Sequence, residues 1–286
     1  MQTAVIGYPR IGTLRELKFA SEQYFRKEIE AGELLQTAKE LRKTHWLTQK
    51  EAGISFISCN DFSFYDNMLD TAVLFGIVPK RYKELQLSEL DTYFAMARGY
   101  QGDSGDVKAL AMKKWFNTNY HYIVPEVEDE MVIELKGNKL FAEYHEAKEL
   151  GITTKPTVIG AYTLLKLCRY TGTKKMADYV DVVSKAYRNL IVKCETEGID
   201  WLQFDEPALV QDMGQNEIHL FHKLYDEILA ADNKCHVLLQ TYFGDVRDIY
   251  EDLIQMPFAG IGLDFIEGKQ TVSLIKQFGF SQDKLL

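Results

Sequence analysis

Short apolar runs alternate with long stretches of helical pattern along the whole chain. The runs are TAVIGYP (3–9), ISFISCNDF (54–62), HYIVPE (121–126), TVIGAYT (157–163), IDWLQFDEPAL (199–209), HVLLQTYF (236–243) and GIGLDFIEG (260–268). Strands that are separated by helices pair in parallel through right-handed crossovers. Most of the runs are continuously apolar, which indicates strands buried on both faces. The pattern therefore predicts an α/β fold built on a parallel sheet.

Polar and turn-forming residues collect at the carboxyl ends of these runs. They are Pro9-Arg10, Asn60-Asp61, Asp205-Glu206-Pro207, Thr241 and Asp264. A (β/α)8 barrel builds its site at this end of its strands, so the sequence favours the TIM-barrel type. A doubly wound open sheet is the alternative, but no G-x-G-x-x-G pattern follows the first run. Because no segment reads as a linker, we expect one domain over residues 1–286, with a long mobile loop at residues 98–108.

The composition of the chain excludes some classes of protein. A formal net charge of −9 argues against a general nucleic-acid binder, which needs a broad basic surface. The N-terminus lacks the pattern of a signal peptide, and no apolar run reaches membrane-spanning length, so no membrane partner is predicted. The four cysteines are scattered, without a C-x-x-C pair: Cys59, Cys168, Cys194 and Cys235. We therefore expect a soluble cytoplasmic protein with reduced thiols.

The segment that follows the first run is predicted to be a helix. Thr13 and Glu16 have the spacing of a capping box, and the helical pattern continues to Gly32. The start of this helix is basic. Arg15 and Lys18 are three residues apart, so they would share one side of its first turns.

Together with Arg10 in the preceding loop, Arg15 and Lys18 form a basic patch near backbone N–H groups that favour anions. Such a patch on an acidic protein suits a small polyanion. On pattern alone, solvated surface charges remain the simpler interpretation.

Several blocks of the sequence together resemble one known family. They are IGYPRIGTLRELKFA (6–20), DFSFYD (61–66), KWFNTNYHYIVPE (114–126), FDEPAL (204–209) and TYF (241–243). In this order they resemble the N-terminal barrel of cobalamin-independent methionine synthase, over the whole chain. Members of that family transfer a methyl group from 5-methyltetrahydropteroyltri-L-glutamate to homocysteine, without cobalamin. The resemblance thus implies a methyltransferase of methionine biosynthesis.

The resemblance also implies that part of the enzyme lies outside this chain. The family has two face-to-face (β/α)8 barrels with the active site between them. Zinc is held by His, Cys, Glu and Cys of the C-terminal barrel, and that ligand set is not in this sequence. Residues 1–286 would hold six barrel strands of the N-terminal barrel, incomplete at its C-terminus, with HYIVPE as an inserted strand. Such a fragment alone would be inactive, and its exposed sheet edges would favour self-association.

The resemblance assigns contacts with the folate substrate and its glutamate tail to two segments. The contact residues are Arg15, Glu16, Leu17, Lys18 and Lys114. Around Lys114, the aromatic residues Trp115, Phe116, Tyr120 and Tyr122 are expected to pack the segment against the barrel. The polar residues Asn117, Asn119 and His121 would satisfy backbone groups.

Other candidate residues give weaker signals. Asp205 and Glu206 could be an acid/base pair, but neighbouring strand residues point to opposite faces. His219 and His222 have a spacing that could hold a metal, yet no third ligand is nearby, so a surface helix is the better interpretation. Cys235 is followed directly by a histidine, His236. The side chains of two adjacent strand residues should diverge, so no metal site is expected there.

The run TVIGAYT departs from the G-P-V-T that is usual in the family at this position, with Ala161 and Tyr162 in place of Pro and Val. The alternative to a methyltransferase is a self-sufficient barrel enzyme or binding protein. Its site would be lined by Asp61, Asp205, Glu206 and Asp264.

Overall fold

The computed structural model describes residues 2–230 and 234–286. These residues form two compact units. The first unit consists of the chain up to Asn67 together with Asn138–Thr157, and the second consists of Met68–Gly137 and Val158–Leu286. Each unit is built from two separate stretches of chain.

Helices and strands alternate through most of the described residues. The helices are α1 (Glu16–Phe25), α2 (Ala31–Glu51), α3 (Asn67–Leu74), α4 (Lys80–Lys83), α5 (Glu89–Arg98), α6 (Lys139–Glu149), α7 (Ala161–Leu167), α8 (Val180–Glu197), α9 (Gln215–Ile228), α10 (Tyr250–Gln255) and α11 (Thr271–Phe278). The strands are β1 (Ile57–Cys59), β2 (Tyr100–Gly102), β3 (Gly105–Val107), β4 (Met112–Lys114), β5 (His121–Ile123), β6 (Glu126–Val127), β7 (Thr154–Ile159), β8 (Arg169–Tyr170), β9 (Trp201–Asp205), β10 (His236–Gln240) and β11 (Gly260–Gly262). Two short 3-10 helices cover Met176–Tyr179 and Pro207–Val210.

In the first unit, β1 pairs in parallel with the start of β7, so that Ile57 lies opposite Thr154. A buried cluster of Leu17, Ala38, Leu41 and Phe62 holds α1 and α2 on the apolar segment after β1. The first helix therefore depends on tertiary packing through Leu17 for its position.

The first predicted strand, residues 3–9, is much shorter than the sequence indicated. Only Ala4 makes a bridge, a parallel one to Phe56. Further along, the N–H of Tyr8 donates to the carboxylate of Asp61 at 2.7 Å rather than to a neighbouring strand. At Tyr8 a side-chain acceptor thus takes the place of a neighbouring strand, and this part of the run is not paired as a strand.

The first predicted helix is also divided. It ends at Phe25, and a second helix begins at Ala31, where Glu30 and Glu33 make the capping interactions. The predicted capping box at Thr13 is wrong, because Arg15 occupies the N-cap position without a side-chain cap.

In the second unit, β9, β10 and β11 form parallel pairs in that order, following the end of β7. Along one pair, Trp201 lies opposite His236 and Asp205 opposite Gln240. The parallel sheet predicted from the apolar runs is confirmed here. Because the strands are in register, their carboxyl ends lie at one edge.

The backbone of β11 also has a partner on its other side. The N–H of Ile261 donates to the carbonyl of Leu285, and the N–H of Leu285 donates to the carbonyl of Ala259, both at 2.9 Å. Part of this sheet edge, which we expected to be exposed, is therefore paired within the chain.

Two antiparallel hairpins lie outside the parallel pairs of the second unit. The predicted mobile loop at residues 98–108 contains one of them, in which Tyr100 of β2 lies opposite Val107 of β3. The other joins β4 to β5 in the HYIVPE segment. Within the residues that the structure describes, no helix has both the length and the apolar character to cross a bilayer.

Candidate functional site

The turn that opens α1 has an unusual backbone conformation. Arg15 has φ 65° and ψ 32°, the left-handed region that side-chain-bearing residues adopt rarely. Its N–H donates to the carbonyl of Gly12 at 3.1 Å, which closes the turn. The side chain of Arg15 is exposed and makes no ion pair within the described part of the chain. The guanidinium is therefore available to a ligand.

Glu16 and Leu17 face inward from the same turn. A carboxylate oxygen of Glu16 accepts the N–H of Leu14 at 3.0 Å. The Glu16 side chain fits only because residue 12 is a glycine, at which an added Cβ would lie 2.0 Å from that carboxylate. Leu17 is buried in the cluster with Leu41. The side chains of these two residues build the turn that presents Arg15.

The other basic residues of the patch have partners of their own. Lys18 lies 3.6 Å from Glu22 in an exposed ion pair, which is weak. Arg10 donates from its guanidinium to the carbonyl of Tyr65 at 2.5 Å. Of the three predicted basic residues, Arg10 is thus tied to the loop after β1, whereas Lys18 can exchange its partner at small cost.

The strained conformation of Arg15 gives a direct test of what this residue is for. Replacing Arg15 with glycine is expected to raise the free energy of unfolding by about 0.5 kcal/mol, because glycine adopts this conformation without strain. The same change should weaken binding of a triglutamate ligand. Thermal melts and titrations with that ligand would measure the two effects. A loss of stability above about 1 kcal/mol would instead mean that the arginine side chain holds the turn.

Lys114 lies in the second unit, at the end of strand β4. It faces His121 across the hairpin, and its neighbour Lys113 faces Tyr122. Both lysines are exposed. Because successive strand residues point to opposite faces, Lys113 and Lys114 present their charges on different sides of the hairpin.

The tip of this hairpin is organised by aromatic contacts. The ring of Trp115 lies 4.9 Å from that of Phe116 and 5.6 Å from that of Tyr122, measured between centroids. Tyr122 is buried, as expected. The expectation for Tyr120 is wrong, since its side chain is 77% exposed at the open end of the turn.

Thr118 satisfies the backbone groups of the tip. Its hydroxyl donates to the carbonyl of Trp115 at 2.7 Å and accepts the N–H of Tyr120 at 3.1 Å. The sequence analysis had given this role to Asn117, Asn119 and His121, which are exposed. A threonine three residues after the accepting carbonyl and two residues before the donating N–H can make both of these local bonds, and the pattern alone does not separate it from the asparagines.

Carboxylates lie at the ends of the second unit's parallel strands. Asp205 accepts from the side-chain amide of Gln203 at 2.6 Å and from the hydroxyl of Tyr242 at 3.3 Å. Asp264 accepts the N–H of Phe243 at 2.9 Å. Partial burial raises the pKa of Asp264, but hydrogen bonds from backbone N–H groups outweigh it, so the net pKa lies below its usual value. These carboxylates orient the loops around them.

Glu206 is completely buried and has a different set of partners. Its carboxylate accepts the N–H of Tyr162 at 2.9 Å, and both the N–H at 2.7 Å and the hydroxyl at 2.5 Å of Thr163. The hydroxyl of Tyr225 also donates to it. Burial raises the pKa of Glu206 to about 7, against the opposing effect of these donors. Asp205 and Glu206 thus have separate surroundings, as the strand alternation predicts.

The first turn of α7, within the run TVIGAYT, supplies backbone donors to Glu206. Residues 161–163 begin a helix whose N–H groups meet the Glu206 carboxylate. Gly160 must lack a side chain, because an added Cβ would lie 2.2 Å from that carboxylate. The signal of this contact in the sequence is the pair Gly160 and Thr163, three residues apart and about 45 residues before Glu206.

The structure separates the residues that the sequence offered as metal ligands. His222 lies 2.5 Å from Asp252, while His219 is exposed on the same helix. Cys235 is buried, and His236 points to the exterior. Across residues 2–230 and 234–286, no three His, Cys, Asp or Glu side chains come together as a metal site.

The Cys59 thiol is affected by two acidic residues, Glu143 and Asp61. Burial raises the pKa of this thiol far above its ordinary value, which disfavours the thiolate that zinc requires. Among the residues that the structure describes, Cys59 therefore does not fit a zinc centre.

The arrangement of strands and helices is that of a known class of protein. Parallel strands that alternate with helices, with polar residues at their carboxyl ends, are typical of an α/β fold of the (β/α)8-barrel type. The chain belongs to the family described as "Cobalamin-independent synthase, N-terminal domain", whose model matches residues 2–286.

Relatives and solved structures agree with this assignment. The chain is 54% identical over 286 residues to the 5-methyltetrahydropteroyltriglutamate–homocysteine methyltransferase of Streptococcus gordonii. It is 53% identical to the protein of the same name from Campylobacter jejuni subsp. doylei. Each match covers the whole chain and 38% of the relative, so the chain spans little more than a third of the length of these curated relatives.

A solved B12-independent methionine synthase from a Shewanella species, in complex with selenomethionine, shares the fold. It aligns with a TM-score of 0.62 at 13% identity, over 86% of this chain and 70% of that one. At this identity the similarity concerns the fold alone.

Proposed function

We propose that this chain is the part of a 5-methyltetrahydropteroyltriglutamate–homocysteine methyltransferase that binds the triglutamate tail of the folate substrate. The observation that carries the proposal is the turn at Arg15. An exposed guanidinium, with no ion pair to any residue that the structure describes, is held there by a strained backbone, on a chain whose formal net charge is −9. Strain of this kind persists where the surrounding structure enforces it, and it is common at ligand sites.

The chemistry of the tail matches the basic residues. Each glutamate adds a carboxylate, so the tail is a flexible polyanion. The planar guanidinium of Arg15 can bind a carboxylate with two parallel hydrogen bonds, whereas Lys18 and Lys114 act as compact point charges. Both lysines are exposed. In this proposal Glu16 and Leu17 contribute by shaping the turn, and their own side chains are engaged in it.

In the complete reaction, the methyl group moves from N5 of the folate to the sulfur of homocysteine. Bound zinc would supply a thiolate at neutral pH, and its ligands would come from outside this chain. The contribution of the present residues is to hold the substrate by its tail. Reduced thiols are consistent with action in the cytoplasm, since all four cysteines are free.

A self-sufficient barrel enzyme is less well supported. It would need Asp61, Asp205, Glu206 or Asp264 as free acids or bases. Each of these carboxylates already accepts hydrogen bonds from its own surroundings, for example from Tyr8 and Ser58 at Asp61. Carboxylates that are used in this way stabilise loops, and no substrate is needed to explain them.

The proposal predicts that affinity depends on the number of glutamates. Replacing Lys114 with alanine is expected to weaken binding of the triglutamate substrate by about 1 kcal/mol, roughly fivefold, because one charged contact is lost at a partly wet site. Binding of the monoglutamate form should change much less. Calorimetric titration at two salt concentrations would measure both, and higher salt should reduce the advantage of the triglutamate.

Lys113 provides the matched control for this experiment. It has the same charge and exposure and is adjacent in the same strand, but it points to the other face of the hairpin. Lys113→Ala should leave the preference for the triglutamate unchanged. Equal affinities for the two substrates in the unaltered protein, or equal effects of the two lysine substitutions, would contradict the proposal.

A further inference from the structure

Two phenylalanines of the second unit share an unusual backbone conformation. Phe116 has φ 49° and Phe243 has φ 76°. Bulky residues avoid positive φ, and a glycine would adopt it without strain. A phenylalanine at such a position indicates that its ring is needed where this conformation places it.

The rings of these two residues contact each other. Their centroids are 5.6 Å apart at an interplanar angle of 35°. The contact extends on both sides, since Phe116 lies 4.9 Å from Trp115 and Phe243 lies 4.7 Å from Tyr242. A continuous row of four rings therefore links the tip of the β4–β5 hairpin to the loop that follows β10.

The Phe243 end of this row is fixed to the parallel strands. Its N–H donates to Asp264 at 2.9 Å, just beyond β11. The hydroxyl of the adjacent Tyr242 donates to Asp205 at the end of β9, at 3.3 Å. Thr241 donates from its N–H and its hydroxyl to the carbonyl of Gly262, at 2.9 Å each. The loop is thereby tied to both strands that flank β10.

The Phe116 end of the row lies on a much less constrained segment. All residues of Met112–Lys114 are exposed. The hydrogen bonds of the tip run within the tip itself, from Trp115 N–H to the carbonyl of Tyr120 and from Thr118 to Trp115. Below the tip, Tyr122 is buried and its hydroxyl donates to the carbonyl of Leu167 at 3.4 Å, so the base of the hairpin is anchored and the row of rings acts on the tip beyond it.

We propose that Phe243 is a positioning residue for the glutamate-tail site, and that it acts through Phe116 to hold the hairpin tip and thereby aim Lys114. The inference rests on the proposed function of Lys114. It adds a residue on a different loop, more than one hundred positions away in the sequence, to the group that determines how the tail is bound. The strain at the two phenylalanines is the cost of placing their rings against each other.

The test uses Phe243→Ala, with Phe243→Tyr as the conservative variant that keeps the ring. Phe278→Ala is the matched control, because Phe278 is also half-buried and contacts one tyrosine ring, Tyr250, at 6.2 Å. Two quantities are measured on each protein. One is amide hydrogen exchange over residues 113–123, and the other is the ratio of affinities for the triglutamate and monoglutamate forms of 5-methyltetrahydropteroyl substrate.

Phe243→Ala is expected to speed exchange at the tip by roughly 2- to 10-fold, the factor that corresponds to the loss of one aromatic pair. The affinity ratio should fall as it does in Lys114→Ala, with no further fall when the two substitutions are combined. Phe243→Tyr should restore both quantities, and Phe278→Ala should change neither.

Three results would overturn the inference, and they are distinguishable. Unchanged exchange in Phe243→Ala would show that the ring contact does not hold the hairpin. Faster exchange with an unchanged affinity ratio would show that the hairpin is held but that Lys114 is not aimed by it. An affinity ratio near one in the unaltered protein would refute the proposed tail site itself, and the exchange data would still report on the ring contact separately.

Discussion

Replacing Glu206 with alanine is expected to lower the free energy of unfolding by about 4 kcal/mol. The side chain is fully buried, and its carboxylate accepts hydrogen bonds from Tyr162, Thr163 and Tyr225. Alanine would leave these donors without an acceptor, and each unsatisfied buried group costs about 1–3 kcal/mol. The cavity left by the removed atoms adds to the loss.

Urea denaturation followed by circular dichroism would measure this loss. Glu227→Ala is the matched control, since Glu227 lies on the same helix as Tyr225 but is half-exposed, with its carboxylate 4.0 Å from Arg188. Removing that surface pair should cost less than about 1 kcal/mol. Similar losses in the two variants would mean that the buried donors find water or another acceptor when the carboxylate is absent.

The importance of Glu206 could not have been predicted from local sequence. Its donors come from the start of α7, where Thr163 precedes it by 43 residues, and from the last turn of α9, where Tyr225 follows it by 19 residues. The pattern around FDEPAL indicates at most an acid/base pair. Only the folded chain brings Thr163 and Tyr225 to the same carboxylate, so the contact has no signature within one segment.

The parallel sheet, by contrast, was predictable. Burial on both faces requires apolar residues at consecutive positions, and this requirement is visible in runs such as HVLLQ, which forms β10. The hairpin at residues 98–108 could not be predicted in this way, because its strands lack such an apolar run. Its strands are largely exposed and rich in glycine and aspartate, so nothing in their pattern separates them from a loop.

The local geometry of the candidate site could not be predicted from the sequence. The spacing of Thr13 and Glu16 fits a capping box, and the same residue types serve a tight turn. The chain adopts the turn, in which Glu16 accepts the N–H of Leu14 and Arg15 takes a left-handed conformation. A pattern of residue types cannot decide between two local hydrogen-bonding schemes of similar energy.

The buried carboxyl of Glu206 also makes stability depend on pH. Burial raises its pKa to about 7 in the folded chain, from an ordinary value of 4.5. An acid with a raised pKa binds its proton more tightly in the folded state than in the unfolded state. Its favourable contribution is therefore complete below pH 4.5 and is lost as the pH rises through about 7. The shift corresponds to about 3 kcal/mol in total.

Glutamine at position 206 is expected to abolish this contribution. Its carbonyl oxygen replaces one of the two carboxylate oxygens, so the N–H of either Tyr162 or Thr163 keeps its acceptor and the other loses it, at a cost in stability that does not depend on pH. A hydroxyl beside the amide nitrogen, that of Thr163 or Tyr225, can turn to accept from it, so the size of the side chain is kept without an ionisable group. Between pH 5 and pH 8, the unaltered chain should lose between about 2 and 3 kcal/mol more stability than Glu206→Gln. Carboxylates with lowered pKa values, such as Asp264 and Glu217, contribute to the pH dependence with the opposite sign. Their contributions are the same in both proteins, so they cancel in the difference. Parallel pH profiles of the unfolding free energy for the two proteins would refute the assignment, because Glu206 would then be ionised throughout this range.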